Sequence, residues 1–167
     1  MIKVRFAPSP TGYLHIGNFR TALVNFLFAR KNNGHFMLRI DDTDQERSLL
    51  EYENAIKEDL SWMNIGWDSI EKQSSRLACY DNALQILLNK KRAYPCFETA
   101  DELSLKRKSQ LSSGKPPIYD RSALKLSDSD IADLKSKGKK PHYRFLLNHI
   151  DVNWNDLVKG NLSLIHI

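Results

Sequence analysis

The chain has 167 residues, of which 41% are apolar and 27% charged, with a net charge of +5. Such a length and composition suit one ordinary globular domain with a real core; no apolar run approaches the ~20 residues of a membrane span, and two cysteines make no disulfide framework. A β-prone run already starts at Ile2, so no signal peptide is expected and the cytosol is the expected compartment.

Residues 2–7 read as a strand that breaks at two prolines and a glycine. Residues 17–32 read as a helix, with Phe19, Ala22, Leu23, Phe26 and Leu27 at helical spacing. Asn32, Asn33 and Gly34 stop it, because Asn and Gly tolerate a left-handed cap. Residues 36–40 form the next strand, completing a β-α-β unit, which implies a parallel sheet with a right-handed crossover. Ser48 and Glu51 form a capping box for a helix to about Met63, with Tyr52, Ala55, Ile56, Leu60 and Met63 on one face, and Gly66 breaks the chain. Ser74 or Ser75 starts a helix to about Lys91 with Tyr80, Ala83, Leu84, Leu87 and Leu88 inward. Residues 93–97 are a short strand. A second capping box, Thr99 with Glu102, opens a basic helix to about Leu111. A loop over 112–119, a polar helix over 127–137 and a strand over 139–147 complete the reading.

Ligands of a parallel sheet sit at the C-terminal strand ends. Here those ends are Ala7 to Pro10 and Asp41 to Asp44. The stretch from Arg5 to Asn18 is a strand, a loop and a helix start, carrying one guanidinium and one imidazole. Helix starts present unpaired N–H groups and partial positive charge, which suit phosphate. The charge is also unevenly placed. Residues 86–140 hold 13 Lys or Arg against 7 Asp or Glu, whereas residues 1–85 hold 10 against 11. The clusters Lys90 to Arg92, Lys106 to Lys108 and Lys135 to Lys140 therefore point to a polyanion partner.

Arg5-Phe-Ala-Pro-Ser-Pro-Thr-Gly12, followed by His15-Ile-Gly17, resembles the first signature of bacterial glutamyl-tRNA synthetases. The block from Leu38 to Ser48 resembles the second, at a matching distance. The resemblance implies an α/β fold: a Rossmann-type parallel-sheet catalytic half-domain of the His-Ile-Gly-His nucleotidyltransferase superfamily over 1–92, then an α+β connective insert over 93–167. It implies ATP with Mg2+, L-glutamate and tRNA(Glu) as partners, no membrane, and a monomer. His15, Gly17 and Asn18 take the catalytic positions, with His15 donating to an ATP phosphate and Gly17 letting the nucleotide approach the backbone. Pro8, Ser9, Pro10, Thr11 and Gly12 complete the ATP-binding motif. Arg5, Ala7, Ser9 and Asp41 fall at glutamate-binding positions, with Arg5 gripping a carboxylate and Asp41 the α-ammonium. Asp44, Arg47, Lys106, Arg107 and Lys108 fall where the tRNA acceptor end is met. Tyr94, Phe97 and Tyr143 read first as core packing of small strands, with stacking on unpaired acceptor-strand bases as the alternative.

Two positions depart from the pattern. Asn18 stands where the superfamily has a second histidine, and Asp41 replaces a glutamate on a shorter arm. Some members of the resembled family bind zinc in the insert through Cys-x-Cys and a later Tyr/Cys pair. Here only Cys96 remains of the first pair and Ala123 stands at the later cysteine, so no zinc is expected. The resembled proteins continue with a second half-domain, a second phosphate loop and an anticodon-binding region, so this stretch alone is expected to be inactive. Residues 161–167 do not follow the family pattern, which suggests an incomplete coding sequence or foreign tail residues. The alternatives are a glutamyl-queuosine-type paralogue, whose signatures match less well, a small nucleotidyltransferase, which would lack the second block, and a non-catalytic module that binds a tRNA end.

Overall fold

Strand β1 (Lys3–Phe6) pairs in parallel with β2 (His35–Ile40), which pairs in parallel with β3 (Ser69–Lys72), giving the order β1-β2-β3. The computed structural model describes residues 1–148 and 150–165. Helix α1 (Ile16–Lys31) connects β1 to β2, and α2 (Leu50–Trp62) connects β2 to β3. Alternate residues of β2, namely Phe36, Leu38 and Ile40, are fully buried. They share one core with Phe6, with Ala22 and Ala29 of α1, and with Ile56 and Leu60 of α2. Phe26 of α1 meets Phe36 edge-on, with ring centroids 5.8 Å apart. Both helices thus cover the same sheet face, as two successive right-handed crossovers in one direction require. The other face carries Arg5, His35, Met37, Arg39 and Glu71, none of them buried.

The local reasons match the residues. Helix α1 stops where Asn33 enters the left-handed region at φ 48°. Gly34 follows because a Cβ there would lie 2.7 Å from the Ile2 carbonyl oxygen. Asp68 then ties β3's approach to β2: its carboxylate accepts from the Phe36 N–H at 2.7 Å and from Arg30 at 3.0 and 3.1 Å.

Internal contacts gather into two units, one over Met1–Asp81 and one from Asn82 onward. Helix α3 (Leu77–Asn89) runs across that division. In the second unit, β4 (Ala93–Cys96) pairs antiparallel with β5 (His142–Phe145), and β6 (Asp151–Asp156) pairs antiparallel with β7 (Gly160–Ile165). Helices α4 (Ala100–Ser112) and α5 (Asp128–Ser136) lie between β4 and β5 in sequence. Each opens on a full capping box, from Thr99 with Glu102 and from Ser127 with Asp130. Tyr94, Cys96 and Ala123 form this unit's small core. Among the described residues no helix is long and apolar enough to cross a membrane.

Three expectations are corrected. Ser48 does not cap α2: Leu49 occupies the cap with no side-chain bond, and the Ser48 hydroxyl is buried without a partner. The Ser48 and Leu49 N–H groups donate instead to Asp44 and Pro10 carbonyls at 2.9 and 3.0 Å, so the chain is still committed to the loop there. Helix α2 ends at Trp62 with Met63 as its cap, as expected, and the chain turns at a left-handed Asn64 (φ 56°) before Gly66. Helix α3 starts at Leu77 after a 3-10 turn over Gln73–Arg76 and buries no residue; Tyr80, expected inward, is 39% exposed. Tyr94 and Phe97 pack inside as expected, but Tyr143 is 40% exposed. Strands β3, β6 and β7 are additions to the expected elements. Of the atypical tail, Asn161 to Ile165 form most of β7, and residues 166–167 lie outside the described residues.

One-sided packing sets a difference that urea unfolding will read. Leu38→Ala is expected to cost about 2–5 kcal/mol because it empties a closed core. Met37→Ala, on the uncovered face one residue earlier, is expected to cost distinctly less; equal costs would contradict the one-sided sheet.

Candidate active site

The loop after β1 and the loop after β2 are joined by their backbones. The Asp41 N–H donates to the Pro8 carbonyl at 2.9 Å, which carries the β1–β2 pairing one step past the strands. Thr11 N–H donates to the Ser9 carbonyl at 2.9 Å, closing a tight turn. Pro8 and Pro10 are buried, Ala7 and Gly12 are half-buried, and Ser9 and Thr11 are exposed. The prolines therefore shape the loop, and the residues between them face outward.

His15 is the N-cap of α1. Its Nδ1 accepts from the Gly17 N–H at 3.1 Å. With Nδ1 acting as acceptor, a neutral ring carries its proton on Nε2, which is left as a donor. The first turn of α1 holds no acidic side chain, so the positive end of the helix is uncompensated. Gly17 has a reason the sequence did not reveal. A Cβ at this position would stand 2.9 Å from His15 Cε1 and 3.1 Å from Nδ1. What Gly17 admits is the imidazole itself. Asn18 is half-exposed on the first turn.

Arg5 is exposed on the uncovered sheet face and makes no ion pair among the described residues. Asp41 is held by Arg39, which sits two residues earlier on that same face. The pair is bidentate, with Nε to Oδ1 at 2.7 Å and Nη2 to Oδ2 at 2.9 Å. Each side chain of the pair is 25% exposed. A carboxylate oxygen has room for a further donor beyond these, so Asp41 is aimed rather than used up.

Behind Asp41 lies a network that sequence reasoning missed. Asp42 accepts from the Ser74 N–H at 2.9 Å and faces Lys72 Nζ at 3.6 Å. Lys72 reaches the buried Glu53 at 2.7 Å, and Lys57 reaches the other Glu53 oxygen at 2.7 Å. Burial pushes the Asp42 carboxyl up, but the Ser74 hydrogen bonds and Lys72 outweigh it and leave it below the usual range. Glu53 behaves alike: burial raises it, and hydrogen bonds from Lys57 and Lys72 bring it below its ordinary value. A buried carboxylate with two ammonium partners is ionised and fixed, so α2, β3 and the Asp42 loop are clamped together. Arg39 was legible in retrospect from strand alternation with Asp41; Lys72 and Glu53 carried no such signal.

Asp44 and Arg47 hold each other, with Arg47 Nε 2.7 Å from Asp44 Oδ2. Hydrogen bonding from Arg47 lowers the Asp44 carboxyl. In the second unit, Lys106 is tied to Asp120 and Ser122 at 3.2 Å each, whereas Arg107 and Lys108 are exposed. Hydrogen bonds from Ser122, with Lys106 nearby, hold the Asp120 carboxyl down at about 2. Lys106, Arg107, Tyr119 and Arg144 line a cavity of about 590 Å³, a basic and aromatic hollow within that unit.

Comparison with known proteins gives the family. Residues 1–166 match the family model described as tRNA synthetases class I (E and Q), catalytic domain. Glutamate–tRNA ligase 1 of Rickettsia massiliae (strain Mtu5) is 57% identical over 159 residues, covering 95% of this chain and 36% of that protein. The corresponding ligase of Rickettsia felis is 55% identical over 162 residues, covering 97% and 36%. The crystal structure of a glutamate tRNA ligase from Elizabethkingia meningosepticum, in complex with its amino acid, superposes with a TM-score of 0.88 at 32% identity, covering 98% of this chain and 36% of that one. The chain thus spans little more than a third of the length of these relatives.

The cap geometry makes Gly17→Ala a sharp test. The added methyl is expected to displace the His15 ring and end the Nδ1 hydrogen bond, so the imidazole 15N shifts move from an Nε2–H tautomer toward a tautomer mixture. Unchanged shifts would show that Gly17 does not seat the ring.

Proposed function

The chain belongs to the class I tRNA synthetases (E and Q), and we propose that it supplies the glutamate- and phosphate-facing half of a glutamate–tRNA ligase active site. The observation that carries this is the backbone tie between Asp41 and Pro8, which sets Arg5, the His15 loop and Asp41 along one edge of one sheet. In the reaction, the glutamate α-carboxylate attacks the α-phosphorus of ATP and pyrophosphate leaves. The terminal ribose hydroxyl of tRNA(Glu) then attacks the glutamyl carbonyl and AMP leaves. ATP enters with Mg2+, which supplies charge neutralisation at the phosphates.

The chain's own part is positioning and electrostatics. Nε2–H of His15 donates to a phosphate oxygen beside the open end of α1, most strongly as charge builds in the transition state. Ser9, Thr11 and Gly12 form the outward face of the same loop, and Asn18 adds an uncharged donor. Arg5 takes the glutamate side-chain carboxylate through its planar fork. Asp41, oriented by Arg39, takes the α-ammonium, and Arg39 makes up for the shorter arm by fixing where the carboxylate stands. Residues 93–167 serve as the connective insert, with Arg107, Lys108 and the basic hollow beside Lys106 toward the acceptor end of the tRNA. Asp44 and Arg47 act there as a paired turn rather than as free contacts. The protein works as a monomer in the cytoplasm.

A chimera tests this reading, with the matched residues of this chain replacing those of the Rickettsia massiliae ligase. It is expected to support glutamate-dependent ATP–pyrophosphate exchange with tRNA(Glu) present. Arg5→Ala in that chimera is expected to lower kcat/KM for glutamate by on the order of 10²-fold or more, the worth of two charged hydrogen bonds, with the circular dichroism spectrum unchanged. A folded chimera without glutamate-dependent exchange would overturn the function, and near-normal Arg5→Ala kinetics would overturn the role of Arg5.

A further inference from the structure

We propose that Lys72 is a positioning residue for the amino-acid substrate: held by the buried Glu53, it anchors Asp42 and thereby fixes where the neighbouring Asp41 carboxylate stands. Its role rests on the glutamate-binding reading of Asp41 given above. Lys72 closes β3 and is the Cα partner of Ile40, the residue just before Asp41. Its side chain therefore leaves the sheet on the helix-covered face, the face of Ile40, and reaches Glu53 of α2.

Two lysines meet Glu53, and they are not equivalent. Glu53 is the one buried charged side chain among the described residues, so it requires ionic partners. Lys57 Nζ donates to Oε1 and Lys72 Nζ to Oε2, each at 2.7 Å. Lys57 lies one turn along the same helix, so its pair is local to α2. Lys72 comes from β3 and also faces Asp42 Oδ2 at 3.6 Å. The other Asp42 oxygen accepts from the Ser74 N–H at 2.9 Å. Of the two lysines, Lys72 is the one that joins the helix to the loop carrying Asp41.

Two adjacent carboxylates are thereby given separate work. Asp42, its side chain only 10% exposed, is engaged by Lys72 and Ser74. Asp41 is left for the substrate ammonium, with Arg39 steering it from the open sheet face. The two lysine ammoniums balance the two carboxylates of Glu53 and Asp42. Removing Lys72 leaves both acids short of a partner, and Asp42 then competes with Asp41 for the same ammonium. The shorter arm of Asp41 makes the backbone anchor matter more. Aspartate has one rotatable bond fewer than glutamate, so it cannot swing its carboxylate back after the loop shifts.

The chimera with the Rickettsia massiliae ligase tests this through ATP–pyrophosphate exchange with tRNA(Glu) present. Lys72→Met is expected to raise KM for glutamate by about tenfold while KM for ATP stays within about twofold. Lys57→Met, which removes an equal bond to Glu53, is expected to leave both constants within about twofold. Lys72→Arg is expected to recover most of the glutamate affinity. An unchanged KM for glutamate in Lys72→Met, or an equal rise in Lys57→Met, would overturn the positioning role. In the 167-residue chain itself, the Ser74 amide is expected to lose about tenfold of its hydrogen-exchange protection in Lys72→Met and none in Lys57→Met. Equal protection in the two variants would overturn the anchor. A wild-type chimera without glutamate-dependent exchange would overturn the glutamate reading and the substrate role of Lys72 with it, while the Ser74 amide still decides the anchor. Should Lys72→Met fail to fold, Lys72→Gln, which loses the charge but keeps a donor for Glu53, is expected to show the same rise in KM for glutamate.

Discussion

The parallel pairing of β1 with β2, prolonged by the 2.9 Å bond from Asp41 N–H to the Pro8 carbonyl, is the constraint on which the first unit depends. Without it, the two motif loops would be separate surface segments of a short chain. With it, the end of β1 delivers the loop that leads to His15, and the end of β2 delivers Asp41, at adjacent points of one edge. Parallel strands need a crossover, and the crossover here is α1, whose N-terminus returns to that edge. Topology thus brings a helix start, a guanidinium and a carboxylate together before any side chain is considered.

Packing then decides which face serves. Both α1 and α2 cover the apolar face, so Phe6, Phe36, Leu38 and Ile40 form the core and Arg5, Arg39 and Glu71 stay accessible. The Asp41 loop is braced twice, by Arg39 from the open face and through Asp42, Lys72 and Glu53 from beneath. The buried Glu53 would be costly alone; two lysines at 2.7 Å make it a clamp. The same economy governs α1, where Gly17 omits a side chain so that His15 can close the helix and keep Nε2 as a donor.

Much of the first unit was legible because its signals are local. Helical spacing marked α1, the two Asn residues marked its end, and the prolines marked the loop. Features set by tertiary pairing were not legible. Ser48 fits a capping box in sequence, yet backbone bonds from Ser48 and Leu49 to the motif loops delay the helix. Strand β3 is four residues with a single large apolar side chain, too short for a period to show. Helix α3 reads as amphipathic but buries nothing among the described residues, so a periodic stripe marked a helix without marking its cover. At the site, Arg5, His15 and Asp41 were found from motif spacing and Arg39 could be read from strand alternation with Asp41, whereas Lys72 and Glu53 emerge only from geometry.

Native-state hydrogen exchange at the Asp41 amide tests the central constraint most directly. If that N–H is bound to Pro8, it exchanges with protection within about tenfold of the buried β2 amides, opening only when the sheet opens. Exchange at the rate of an exposed loop amide would mean that the two motif loops are not joined, and the shared edge on which the proposed site rests would be lost.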